Sequence, residues 1–218
     1  MRKVVACAKV KLRCGKFQKI YFFDDNSPDG SGDKAKKFDW IVVKNEKNLG
    51  HGGNYKKALK TAFDDGADYA VEIHADNQYS PNEVIKAKQQ LENDYDLIIG
   101  SRLQNNNPFV KDGMPFLRYL TNKIFSFFTS KLCNIKLTEF HTGCKIVSRN
   151  FCKKTPYQEN SDSYLFSFQI ILQAAFFKLK YMENNGCQGN DQHDEHDHAN
   201  TQCCDVNRTA IYFHLFVD

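Results

Sequence analysis

Three residues at one place in the chain have the types and spacing to hold a cation. His74, Asp76 and Gln78 alternate in HADNQYSP, so along an extended backbone they leave the same face. Imidazole, carboxylate and amide oxygen are all usable ligands for a divalent ion that also holds phosphates. The other reading is a polar strand-to-helix turn, with Asp76 or Ser80 capping a helix begun by Pro81. Earlier in the chain, Asp24 and Asp25 open the cluster DDNSPDGSGD. Two carboxylates at a strand terminus can accept hydrogen bonds from a nucleobase N–H and ribose hydroxyls, and Ser27, Gly30 and Gly32 permit a close backbone approach. An Asx-type turn would use the same residues. Gly50, Gly52 and Gly53 precede a helix whose free N–H groups can hold an anion, although the spacing is neither GKS nor GxGxxG. Arg102 and Lys111 could reach a phosphate, and Glu139 and His141 lie just before Gly143 and a strand-like run.

Short apolar runs carry these groups. Lys19 to Phe23, Trp40 to Val43, Tyr69 to Ile73 and Asp96 to Ile99 read as buried strands. Helices are expected from about Asn54 to Phe63, Asn82 to Glu92, Phe116 to Leu132 and Ser161 to Lys180. Phe125, Phe127 and Phe128 in the third suit either a core or contact with a membrane surface. Residues 1–19 read as strand by alternation or as helix by content. Strand and helix alternate, which predicts an α/β domain with a largely parallel sheet and ligands at the carboxyl ends of its strands.

The chain has 218 residues, a length suited to one domain. Its 30 Lys and Arg against 26 Asp and Glu are dispersed, so no nucleic-acid partner is implied. Its apolar segments fall short of the roughly 20 residues a bilayer span needs. The basic start lacks a signal-peptide core, so a cytoplasmic location is expected. The eight cysteines include no CxxC pair and read as reduced thiols. After residue 183 the composition shifts to a His- and Asp-rich tract containing His193, His196 and His198. The domain is therefore expected over 1–183, with 184–218 a divergent, disordered tail whose last residues, AIYFHLFVD, either dock or aggregate.

FFDDNSPDG, KNLGHGG before a helix, HADNQYSP, IIGSR, GMPFLRYLTNKIF and TEFHTGCKIVSR, in that order, resemble the inverting glycosyltransferases of family 2. The likeness covers roughly residues 19–182 and is nearest to the dolichyl-phosphate and polyprenyl-phosphate sugar transferases. It implies a GT-A fold, a nucleotide-diphosphate sugar donor, Mg²⁺ or Mn²⁺, and a lipid-phosphate or glycan acceptor, with peripheral contact at the cytosolic membrane face. By position, Asp24, Asp25, Ser27, Asn48, Gly50, Ala75 and Arg102 would bind the donor. His74, Asp76 and Gln78 would hold the metal, with histidine replacing the family's first aspartate, and Glu139 and Asp76 would be catalytic. The family's opening strand, ending in Pro-x-Tyr-Asn-Glu, has no counterpart before Asp24. The chain is thus expected to be truncated at its start, with residues 2–12 taking the vacant place beside the Lys19 to Phe23 strand. A catalytically silent nucleotide-sugar-binding fragment is the alternative function; a nucleotidyltransferase is disfavoured because its Gly-rich and Lys signature is absent.

Overall fold

The computed structural model describes residues 19–38, 40–74, 93–101, 115–140, 142–184 and 209–214. Its elements, in chain order, are β1 (Lys19–Asp24), α1 (Ser31–Ala35), β2 (Ile41–Lys44), α2 (Gly50–Asp64), β3 (Tyr69–His74) and β4 (Leu97–Gly100). They continue with α3 (Phe116–Cys133), β5 (Cys144–Ser148), α4 (Arg149–Lys154), α5 (Leu165–Phe176), β6 (Tyr181–Asn184) and β7 (Thr209–His214). The strands form one sheet in the order β2-β1-β7-β3-β5-β4-β6. Every pairing is parallel except those of β5, which runs against β3 and β4. The predicted helix over 82–92 lies outside the described residues.

Period-two alternation gives the sheet two apolar faces. Tyr21, Phe23, Ala70, Leu97, Ile99 and Val147 point to one side, where Tyr55, Leu59 and Phe63 of α2 and Phe166 and Ile170 of α5 cover them. Phe22, Val71, Ile73, Ile98 and Ile146 point to the other side, with Ala35 of α1. The apolar residues of α2, at 55, 58, 59, 62 and 63, follow the i, i+3, i+4, i+7, i+8 pattern of a single buried stripe. Its end is a Schellman closure: Ala67 N–H donates to the Ala62 carbonyl, and Gly66, at φ 93°, donates to that of Phe63. Ser148 caps α4 by accepting from Phe151 N–H at 3.0 Å.

The largest departure from the sequence reading concerns the sheet's middle. Both edges of β1 are taken, by β2 on one side and β7 on the other, at the place expected for residues 2–12, which themselves lie outside the described residues. The place is filled by Thr209–His214, from within the segment expected to be a disordered tail. Parallel register with β1 and β3 at once gives β7 backbone partners on both sides, which a six-residue apolar segment in solution lacks.

Cys133, Cys144 and Cys152 are free thiols among the described residues. Burial pushes the Cys152 thiol up to about 12, and burial with the nearby thiol pushes the Tyr157 phenol up to about 12. The fold thus favours both neutral forms. Their contribution is whole below the unfolded thiol's ordinary 9.0 and is lost as pH rises toward 12. Each group above its unfolded pKa removes about 1.4 kcal/mol per pH unit. The thermal midpoint is therefore expected to stay level around neutral pH and fall in alkaline buffer, less steeply in Cys152→Ala; equal slopes in the two proteins would contradict the assignment.

Candidate active site

Register places the sheet's functional ends along one edge. Asp24 of β1 is level with Lys44 of β2; Phe23 is level with His214, and His214 with His74; Ile73 faces Cys144, where the antiparallel β5 begins. Because β5 runs the other way, the loop that precedes it returns Glu139 to the edge where β1, β3 and β4 end. Ser101 follows β4 there and meets Thr138 at 3.1 Å, hydroxyl to hydroxyl.

The two aspartates are buried, Asp24 at 1% and Asp25 at 8% exposure, and each uses one oxygen to build the site. Asp24 Oδ1 accepts from Ser27 N–H at 2.7 Å, which turns the chain sharply after β1. Asp25 Oδ1 accepts from Leu49 N–H and from Asn45 Nδ2, both at 2.8 Å. Asn45 also donates to Asn54 Oδ1 at 2.9 Å and accepts from Lys57 Nζ at 2.6 Å, so Asp25 ties β1, β2 and α2 together. Asp24 Oδ2 is buried with no hydrogen-bond partner among the described residues. A buried acceptor left in this state costs about 1–3 kcal/mol, more when charged, unless a ligand donor meets it. Gly32 permits this arrangement, since a Cβ there would lie 2.4 Å from Asp24 Oδ2. Asp29 serves its own turn, accepting from Ser31 N–H at 2.9 Å, and the Ser31 hydroxyl holds its carboxyl below the usual range.

The glycine-rich start of α2 is not an open anion cradle. Gly52 and Gly53 N–H both donate to the Asp162 carbonyl, at 2.7 and 3.3 Å. Lys56 adds an ion pair to the Asp162 carboxylate at 2.6 Å. Asn48 Oδ1 accepts from Gly50 N–H at 2.9 Å, and Gly50 adopts φ 76°, where glycine is favoured. These glycines let backbone approach backbone: a Cβ on Gly52 would stand 2.2 Å from the Ser161 carbonyl oxygen. Gly52→Ala is expected to cost roughly 1–3 kcal/mol by overpacking, read from the urea midpoint; an unchanged midpoint would refute the close approach.

Glu139 is 1% exposed. Its N–H donates to Glu183 Oε1 at 3.0 Å, and Thr138 gives that carboxylate its N–H at 2.8 Å and its hydroxyl at 2.6 Å. Glu183 of β6 thus clamps the loop that carries Glu139. Neither it nor Asn45 stood out in the sequence, because a lone Glu or Asn at a strand end has no distinguishing spacing. His74 is placed by its backbone at the end of β3, while Ala75, Asp76, Gln78 and Arg102 lie outside the described residues. Among the described residues, no group of three or more His, Cys, Asp or Glu is arranged to hold a metal.

A parallel α/β sheet with one antiparallel strand near its middle, and carboxylates gathered at its carboxyl edge, is the arrangement of a GT-A fold. Two structures of glucosyl-3-phosphoglycerate synthase from Mycobacterium tuberculosis share this fold, at TM-scores of 0.53 and 0.54 and 12% identity. One is solved with phosphoglyceric acid, the other with Mn²⁺, uridine diphosphate and glucosyl-3-phosphoglycerate. The matches cover 79% and 80% of this chain and 61% and 62% of those. The profile of Glycosyl transferase family 2 matches residues 5–155, and the chain belongs to that family. Among curated relatives, a UDP-N-acetylglucosamine–dolichyl-phosphate N-acetylglucosaminyltransferase of Methanococcus voltae is 31% identical over 144 residues, 66% of this chain and 57% of that protein. An uncharacterized protein of Methanocaldococcus jannaschii is 30% identical over 168 residues, 77% of this chain and 68% of that one.

Proposed function

We propose that this chain transfers a sugar from a nucleoside diphosphate to a lipid phosphate, with inversion at the anomeric carbon. The observation that carries the reading is the pair of buried aspartates, each with Oδ1 committed to the fold, beside Asp24 Oδ2, which is buried with no hydrogen-bond partner among the described residues. Acceptors held in this way suit the N–H of a base and the hydroxyls of a ribose. The donor's diphosphate would then lie toward the ends of β3 and β4, with Arg102 on a phosphate oxygen. Mg²⁺ or Mn²⁺, held by His74, Asp76 and Gln78, would neutralise charge on the departing diphosphate.

The acceptor approaches from the loop carrying Glu139. A lipid phosphate oxygen is already ionised near neutral pH and attacks C1 from the face opposite the leaving group without a strong base. A glycan hydroxyl would need a carboxylate to take its proton, the role Glu139 would then fill. The relative named for a dolichyl-phosphate acceptor supports the first. The fixed position of Glu139, clamped through Glu183, serves either.

UDP binding measured by calorimetry tests the donor half. Asp24→Asn and Asp25→Asn each lose a charged acceptor worth about 1.5–3 kcal/mol, so affinity is expected to fall roughly 10- to 100-fold. Unchanged affinity in both variants would remove the assignment. Transfer of label from UDP-N-acetylglucosamine to a polyprenyl phosphate tests the second half. A histidine at the end of β3, where the family carries an aspartate, favours a second reading as a nucleotide-sugar-binding chain, and UDP binding without transfer would support it.

A further inference from the structure

The sequence holds seven histidines, and the fold sets two of them side by side. His74 closes β3, His214 closes β7, and the two are level in the parallel β3–β7 ladder. His214 is also level with Phe23 of β1, one residue before the Asp24 and Asp25 pair. Neighbouring strands lie about 4.8 Å apart, and level residues of a parallel pair share one face of the sheet. The two imidazoles are therefore rooted one strand spacing apart, at the edge where the loops of the site begin. Of the other five histidines, His51 lies in α2 with Nε2 2.7 Å from Ser167 Oγ, and the rest lie outside the described residues.

Such a pair is poorly suited to protonation and well suited to an ion. Like charges level on adjacent strands destabilise a sheet, so two imidazolium rings at these positions would work against the β3–β7 pairing. In the neutral form each ring presents a nitrogen lone pair. Imidazole donors suit Zn²⁺, Co²⁺, Ni²⁺ and Cu²⁺, with nitrogen about 2.0–2.1 Å from zinc, whereas Mg²⁺ takes oxygen ligands. Two rings rooted one strand apart can both approach a single ion that closely.

We propose that His74 and His214 together ligate a divalent transition ion of the Co²⁺, Ni²⁺ or Zn²⁺ class, so that β7 contributes a ligand as well as a strand. The ion joins the ends of β3 and β7, and its binding therefore stabilises the middle of the sheet. The pair rests on the register alone. That its ion meets the donor's diphosphate, with nitrogen ligands favouring a transition ion over Mg²⁺ there, rests on the transferase reading above.

Calorimetric titration of the full chain with Co²⁺, without nucleotide, tests the pair. The tail histidines are first silenced in H193Q/H196Q/H198Q, so that they do not supply the binding. On that background one Co²⁺ per chain is expected, with affinity falling about 10- to 100-fold in H74Q and equally in H214Q. Removing both should cost little more than removing either, because the first loss already breaks the chelate. Co²⁺ should also raise the urea midpoint of the background chain and leave that of H74Q where it was. Spin-echo modulation of bound Cu²⁺ counts imidazole ligands without altering β7, so the question is answered even where H214Q does not fold: two are expected in the background chain and one in H74Q. Affinity indifferent to either substitution, a single imidazole in the background chain, or a thiolate-to-cobalt charge-transfer band would overturn the proposal. A chain that binds Co²⁺ through both histidines but neither binds UDP nor transfers sugar would leave the pair standing and sink only the transferase reading.

Discussion

Deleting residues 209–218, or placing proline at Ile211, is expected to abolish soluble, cooperatively unfolding protein. β7 is level with β1 from Lys19↔Ala210 to Phe23↔His214, and with β3 from Tyr69↔Thr209 to His74↔His214. Removing it leaves two facing strand edges with unpaired N–H and C=O groups in the middle of the sheet, and divides β2 and β1 from the four strands beyond. A proline at Ile211 keeps the length but removes a ladder donor and cannot sit in a strand paired on both sides. Against a total stability of roughly 5–15 kcal/mol, losing several central backbone hydrogen bonds is not survivable. Soluble yield and urea unfolding monitored by circular dichroism read the result. A truncated chain with an undiminished midpoint would show that β7 does not hold this place.

Breaking one buried ion pair should have the next largest effect. Glu72 and Lys145 face one another in the β3–β5 register, are fully buried, and stand 3.2 Å apart, Oε2 to Nζ. Lys145 also donates to the Thr142 carbonyl, which fixes the chain just before β5. A buried charge stripped of its partner costs about 3–5 kcal/mol, because its desolvation is no longer offset. Lys145→Met should therefore destabilise by that much. The pair itself is worth far less: Glu72→Leu with Lys145→Met removes both charges and should recover most of the loss. Equilibrium unfolding of the two variants separates charge from packing. A double variant as unstable as the single one would show that shape, and not pairing, is what the site requires.

The first four strands and the longer helices were legible because their patterns are local, whereas β6 and β7 were not. Tyr69–His74 and Leu97–Gly100 are short apolar runs between polar breaks, and the α2 stripe repeats at helical period. The glycines of α2 were legible as a special feature but not as the right one. Nothing in GHGG reveals that the Asp162 carbonyl, more than a hundred residues on, occupies the N–H groups an anion would need. The same limit hid Asn45 and Glu183. Each acquires its role only by meeting Asp25 or the 138–139 backbone across the fold. The polarity of α3 was visible in the sequence, but which arc faced the body was not.

By itself the sequence determined the kind of fold and the segments that reach its working edge, because periodicity and strand-terminal carboxylates depend on near neighbours along the chain. Only the tertiary structure decided that Thr209–His214 lies between β1 and β3 and completes the sheet. A vacant place between two parallel strands accepts any extended segment with free backbone donors and acceptors, so the choice depends on which end of the chain can reach it, and composition does not record that.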